Sequence, residues 1–155
     1  VLAWAAAMAE VLECQVKWPN DLVTAKGLKL GGILAELQAE ADIVRSVILG
    51  VGINVNQRDF AQLPAASSLA LESGKDENRA ALLAALVAAI EAVPTDGAPD
   101  LDLWRDRSHT LGRKVRVGEV QGLASEVRAD GALIVGGSPV LAGDVELLAE
   151  DGHAR

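Results

Sequence analysis

The chain has 155 residues, half of them hydrophobic and 23% charged, with a net charge of -8 and an isoelectric point near 4.7. That length allows one medium domain carrying a small one. The acidic balance argues against a broad basic surface for nucleic acid, and no window reaches the ~18 uninterrupted apolar residues of a membrane span. A lone cysteine, Cys14, excludes an internal disulfide and fits a reducing, cytoplasmic setting. Between Glu13 and Gln15 it reads as a packed side chain rather than a nucleophile.

Leu2, Ala5, Ala6, Ala9 and Leu12 recur at helical spacing, so the chain is expected to open on the tail of an amphipathic helix. No signal peptide is visible in its first residues, and a Val start reads as a fragment. A short strand is predicted over 14–18, stopped by Pro19-Asn20-Asp21, which combines a missing N–H with two turn formers. Strands over 22–24 and 28–37 flank Lys26-Gly27 and predict a hairpin turning at that glycine. Residues 43–55 are apolar and rich in β-branching, the composition of a strand buried on both faces, which makes them the expected sheet centre.

Residues 57–75 contain Pro64, Ser67, Ser68 and Gly74 and predict an irregular crossing loop with a short helical turn. Asp76 is expected to cap a helix running to about Val93, with Leu82, Leu83, Leu86, Val87 and Ile90 on its apolar face. Pro94 ends it, 95–99 forms a connector, and a second short helix over 100–109 turns Leu101, Leu103 and Trp104 to the core. Beyond Gly112 the hydrophobic period becomes two. Short strands are predicted around Val115 and Val117, over 123–127, 133–135 and 145–148, and Asp130-Gly131 is a hairpin turn signal. A boundary is therefore expected at residue 111, with 1–111 in one unit and 112–155 in a small β-unit that leans on it.

Three segments carry polar or backbone-permissive residues into apolar strands: Lys17-Trp18-Pro19-Asn20-Asp21, Lys29-Leu30-Gly31-Gly32-Ile33-Leu34-Ala35-Glu36 and Gly50-Val51-Gly52-Ile53-Asn54-Val55-Asn56. Each has an ordinary reading. Pro-Asn-Asp can be a plain turn, Gly31-Gly32 marks a bulge or a close backbone approach, and Gly50 and Gly52 can relieve crowding. The last two make no dinucleotide fingerprint, because a third glycine and a following helix are missing. Lys29 is the informative residue, since a lysine at a strand start beside glycines can reach an anion.

Together, in this order and spacing, the three segments resemble the biotin protein ligase family, matching its KWPND, K-L-x-G-I-L-x-E and G-x-G-I-N-x-N patterns. Pro64, Ser67, Ser68 and Leu69 match its P-x-x-x-S-L loop. The resemblance implies an α+β fold, a partial class II synthetase-like mixed sheet with helices followed by a small SH3-like β-barrel. It implies an ATP-dependent ligase that forms biotinyl-5′-AMP from biotin and ATP and passes biotin to a lysine of the biotin carboxyl carrier domain of acetyl-CoA carboxylase. Lys29 would then contact the biotin carboxylate and α-phosphate, with Lys17 a second phosphate cation and both counted as catalytic. Lys29, Gly31, Gly32, Leu34, Gly50 and Ile53 would border biotin, and Lys17, Asn20, Asp21 and Asn54 the adenylate. Asp21 would help hold Mg²⁺ or fix a nearby lysine.

The family's G-R-G-R-x-G-R loop is absent from these residues, so the chain alone is expected to be nearly inactive and its apolar sheet face to favour self-association, with a homodimer as the simplest form. Two alternatives stand beside this reading, a non-catalytic remnant or binding fragment and a lipoate-type ligase.

Overall fold

A computed structural model describes residues 1–40, 43–96 and 99–148. Helix α1 (Leu2–Val11) leads into strands β1 (Gln15–Lys17), β2 (Asp21–Val23), β3 (Lys29–Glu40) and β4 (Ile43–Ile53). Helices α2 (Leu69–Ser73), α3 (Arg79–Glu91) and α4 (Asp102–Asp106) follow, then β5 (Lys114–Val117), β6 (Val120–Val127), β7 (Leu133–Val135), β8 (Ser138–Val140) and β9 (Glu146–Leu147). The fold is α+β with two sheets, ordered β1-β2-β3-β4 and β8-β7-β6-β5-β9.

The expected mixed sheet is instead antiparallel throughout its named strands. Parallel pairing among the described residues is confined to isolated bridges, Val16 with Ser108 and Lys29 with Ala66. The short turns after β1 and β2 dictate this, because adjacent strands joined by a few residues can only reverse. The Trp18–Pro19 peptide at the first turn is cis. The second turn is Thr24 to Gly27, where Gly27 adopts φ +82 and the Thr24 hydroxyl accepts from Lys26 N and Leu28 N.

The expectation for residues 43–55 is overturned. Among the described residues β4 lies at the sheet edge, paired with β3 alone, and Ile43, Val44, Val47, Ile48 and Val51 are all exposed. A β-branched apolar run fits any pleated surface, and whether a second layer covers it depends on distant parts of the chain. The other half of the sheet is well covered. Val16, Trp18, Leu22, Leu30 and Ile33 are buried with Met8, Ala5 and Ala9 of α1 and with Trp104.

The α3 cap is Asn78, whose carboxamide accepts from Ala80 N and Ala81 N, whereas Asp76 pairs with Arg58 at 2.7 Å. Only Leu86 of the helix is buried, and Leu83 and Val87 face outward, so the apolar stripe is narrower than its spacing suggests. Ser68 caps α2 within the crossing loop, and Gly74 ends it at φ +76. Gly97 and Ala98 of the connector, and the tail after Leu148, lie outside the described residues.

In the second sheet Val115 and Val117 alternate with Lys114 and Arg116 as the period of two requires, and Asp130 accepts from Ala132 N in the turn before β7. The described strands form one five-stranded sheet with β8 and β9 at its edges, and no closed barrel is seen among them. β8 contains Pro139, a residue the sequence does not mark as strand; the proline is tolerated because an edge strand has no outer partner that needs its N–H. The buried apolar cluster runs on from the first sheet into Val115, Val127, Leu133 and Val135. Trp18 bridges the two sheets, its indole N–H donating to Gly131 O at 3.0 Å.

Candidate functional site

A cleft of about 990 Å³ opens on the first sheet and brings together every residue that the sequence singles out: Lys17, Asn20, Asp21, Lys29, Gly31, Gly32, Leu34, Gly50, Ile53 and Asn54. Strand register explains why. Lys17 lies opposite Asp21, Asp21 opposite Gly32, and Gly32 opposite Gly52. Residues directly opposite in antiparallel strands share a face, so these four form one row across the sheet. In the neighbouring row, Val16, Leu22, Gly31 and Ile53, the first two are buried in the core, whereas Gly31 and Ile53 at its far end still border the cleft.

Lys29 joins the first row through a bulge. Leu22 pairs with Gly31 and Val23 with Lys29, leaving Leu30 as the extra residue. Such an insertion bends the strand and re-aims the side chains beside it. The Lys29 ammonium stands 2.6 Å from Asp21 Oδ1, with its side chain half exposed. Its backbone is held by the crossing loop, because Lys29 N donates to Ala65 O and Lys29 O accepts from Ser67 N. A cation fixed at both backbone and head group has lost its rotamer freedom before any ligand arrives.

The two asparagines act as clamps. Asn20 O accepts from Ile33 N at 3.0 Å and Asn20 Nδ2 donates to Ile33 O at 2.8 Å, which locks the first turn onto β3. Asn54 Nδ2 donates to Ser67 O, and Asn54 O accepts from Leu69 N. Their amide N–H groups thus hold backbone, and their Oδ1 atoms accept no hydrogen bond among the described residues. Asn56 clasps Glu77 through its side chain alone, Nδ2 donating to Glu77 O and Oδ1 accepting from Glu77 N.

The glycines divide by role. A Cβ on Gly31 would collide with Gly52 O and lie 2.8 Å from Ile53 Cδ1, so strand packing alone demands glycine there. A Cβ on Gly32 would press on Asp21 Oδ1 at 3.2 Å and Lys29 Cε at 3.7 Å, the two partners of the ion pair. At Gly52 nothing lies within 4 Å, so any side chain would project into open cleft. The spacing of the glycines gives no hint of this division.

Two features of the site escape sequence reasoning. Gln62, Leu63, Pro64, Ala65 and Ala66 form one wall of the cleft, and a loop of small residues carries no local sign of what it faces. His109 is buried behind the Thr24-to-Gly27 turn, with Nδ1 2.7 Å from Gln15 Oε1 and Nε2 3.2 Å from Arg113 Nη1. Burial and the charges of Arg113 and Lys17 hold its pKa below the usual histidine value. Cys14 is buried as its flanks suggest, and burial pushes its thiol pKa up to about 11. No group of three or more His, Cys, Asp or Glu among the described residues could hold a metal ion.

This cleft and fold have known counterparts. A profile of the biotin/lipoate A/B protein ligase family matches residues 5–54, the stretch that contains the whole first sheet. The chain is 35% identical over 88% of its length to the bifunctional ligase/repressor BirA of Bacillus spizizenii, covering 47% of that protein. It is 42% identical over 86% of its length to the biotin–[acetyl-CoA-carboxylase] ligase of Mycobacterium tuberculosis, covering 53%. It therefore spans about half the length of the curated relatives it matches. The apo biotin protein ligase of Aquifex aeolicus superposes with a TM-score of 0.75 at 23% identity, over 95% of this chain and 74% of that one. The same enzyme in complex with biotin and ATP superposes with a TM-score of 0.71 at 23% identity, over 96% of this chain and 70% of that one. Residues 5–54 thus match the biotin/lipoate A/B protein ligase family, and the chain is similar over most of its length to biotin ligases.

Proposed function

We propose that this cleft binds biotin and ATP and joins them as biotinyl-5′-AMP, and that the biotinyl group then passes to a lysine of a biotin carboxyl carrier domain. The observation that carries the reading is the Lys29 ammonium, fixed 2.6 Å from Asp21 beside a row of glycines and within one cleft with Lys17. Two anions must meet in the first step. A preorganised cation between them offsets their repulsion and the charge that develops, without reorganising at the moment of reaction. Lys29 takes that place in this reading, Lys17 neutralises the phosphates, and Asn20 and Asn54 hold the strands that present them.

Gly32, Gly50 and Gly52 leave space for the flat bicyclic ring, with Leu34 and Ile53 as apolar contacts. Asp21 is the only carboxylate among the described cleft-lining residues, and it is engaged by Lys29. The residues present do not build a metal site of their own. Mg²⁺ enters this reading only as the counter-ion that ATP brings, and no step is routed through it.

We divide the chain at residue 111, with the second sheet as an SH3-like module facing the carrier protein. The exposed apolar edge of β4 is the surface we assign to self-association. The reading implies a cytoplasmic protein, since biotin carriers are modified there; no helix among the described residues is long and apolar enough to cross a membrane. No Gly/Arg-rich loop in these 155 residues covers the cleft, so we propose that the isolated chain forms the adenylate slowly and loses it to water.

Single-turnover incubation with α-labelled ATP at high protein concentration tests the proposal. Labelled biotinyl-5′-AMP is expected with biotin, little with lipoate, and none after Lys29→Ala. Adduct formation independent of biotin, or equal with lipoate, would overturn it.

A further inference from the structure

Ser67 is where the crossing loop meets both long strands of the first sheet. The residue is buried, and its polar atoms are engaged in three directions. Ser67 N donates to Lys29 O at 2.9 Å, Ser67 O accepts from Asn54 Nδ2 at 3.0 Å, and Ser67 Oγ donates to Glu72 Oε1 at 2.5 Å. The start of β3, the end of β4 and helix α2 therefore converge on one residue.

Lys29 takes its second neighbour from this convergence. Val23 of β2 pairs with it on one flank. On the other flank β4 has ended at Ile53, and residues 65–67 continue in its place through the parallel bridge between Lys29 and Ala66. Lys29 N donates to Ala65 O at 2.8 Å and Lys29 O accepts from Ser67 N, so any sliding of 65–67 carries the Lys29 backbone with it.

What holds 65–67 in turn is the Ser67 hydroxyl. Ala65 and Ala66 have no polar side-chain atoms, so this hydroxyl is the segment's one side-chain anchor, and its partner is a carboxylate. Hydroxyl-to-carboxylate bonds are short and strong, and a buried hydroxyl that loses its partner has no water to replace it. Neither Ser67 nor Glu72 lines the cleft, whereas Ala65, Ala66 and Lys29 do.

We propose that Ser67 and Glu72 are positioning residues for Lys29: their hydrogen bond holds 65–67 in register with β3 and so sets where the ammonium stands beside Asp21. This rests on the ligation reading above and adds to it the device that fixes the reacting cation. The ammonium is in direct contact with Asp21 at 2.6 Å. A misplacement of ~1 Å at a reacting group can slow a reaction on the order of a hundredfold, so a loosened anchor far from the chemistry is felt at the cleft.

Single-turnover formation of biotinyl-5′-AMP by the full chain, in the parent and in Lys29→Gln, tests this. Ser67→Ala and Glu72→Ala are each expected to slow the parent about tenfold, and the double variant no further, because both remove the same bond. Glu72→Gln keeps an accepting oxygen and should stay within about threefold of the parent. Once Lys29→Gln has removed the cation, Ser67→Ala should slow the reaction less than about twofold more, whereas a merely structural bond would repeat its full loss. A rate for Ser67→Ala within about twofold of the parent would overturn the proposal, as would an undiminished loss in the Lys29→Gln background. Amide hydrogen exchange reads the anchor without the reaction: in Ser67→Ala the Lys29 N–H should exchange about tenfold faster while the β1–β2 amides keep their rates. A parent that forms no adenylate, in a chain where Lys29 exchange responds in this way, sinks the ligation reading and leaves the anchor standing. Unchanged Lys29 exchange sinks the anchor alone.

Discussion

Gly31 and Gly52 sit one residue apart in the strand ladder, since Gly31 pairs with Ile53 and Gly32 with Gly52, yet alanine should act oppositely at the two. At Gly31 the new methyl meets a backbone carbonyl, Gly52 O, and Ile53 Cδ1 at 2.8 Å. A carbonyl inside a ladder cannot swing away, so β3 and β4 must separate and lose pairing. Overpacking of this kind costs about 1–3 kcal/mol when side chains can yield, and the upper end, about 3 kcal/mol, is expected here. For a chain of this size that lowers the melting temperature by about 6–12 °C. At Gly52 nothing lies within 4 Å and the backbone is outside the left-handed region. Alanine should leave stability unchanged or raise it by about 0.4–1 kcal/mol, while its methyl enters the cleft and weakens biotin. Thermal denaturation and calorimetric titration with biotin on both variants measure the two effects. Equal melting losses in the pair, or parental biotin affinity in Gly52→Ala, would refute the division of the glycines into packing and ligand roles.

Asp21→Asn removes the anchor of Lys29 while keeping its shape, and should slow adenylate formation at saturating biotin by about tenfold. Lys29→Gln, which removes the cation itself, should slow it by about a hundredfold or more, and single-turnover rates compare the two. Burial of His109 as a neutral ring means the folded chain resists its protonation, so this contribution to stability is complete above pH ~6.5. It is lost as the pH falls through the lowered folded-state pKa; urea midpoints should decline on that acid side and decline less in His109→Gln. Cys14, with its thiol pKa raised to about 11, should resist iodoacetamide at pH 8 in the folded chain and react fully in urea. Val47→Lys places a charge on the exposed β4 edge and should reduce any concentration-dependent association seen by sedimentation, without lowering the melting temperature.

Much of the first sheet was legible because its signals are local. Lys26-Gly27 announced a hairpin through the need for positive φ, the alternation at Val115 and Val117 announced a half-buried strand, and the three motif segments named the residues that meet in the cleft. Misreadings arose where an outcome depended on distant chain. Residues 43–55 have the composition of a central strand, yet of β4 only Leu49 and Ile53 pack, partly buried, against the core cluster of the described residues. Asp76 and Asn78 are both competent caps, and the Arg58 guanidinium decides between them by engaging Asp76.

Residue type and spacing were enough to give the family, the hairpin and the identity of Lys29 as the cation to watch, because turn chemistry and side-chain period act over a few neighbours. Cross-strand register put Lys17, Asp21, Gly32 and Gly52 in one row and assigned Gly31 to packing, and the linker brought His109, with Arg113 on its ring, against the Thr24-to-Gly27 turn. Those outcomes belong to tertiary structure because each depends on atoms tens of residues apart in sequence, brought within a few ångströms only when the sheet and the linker close on one another.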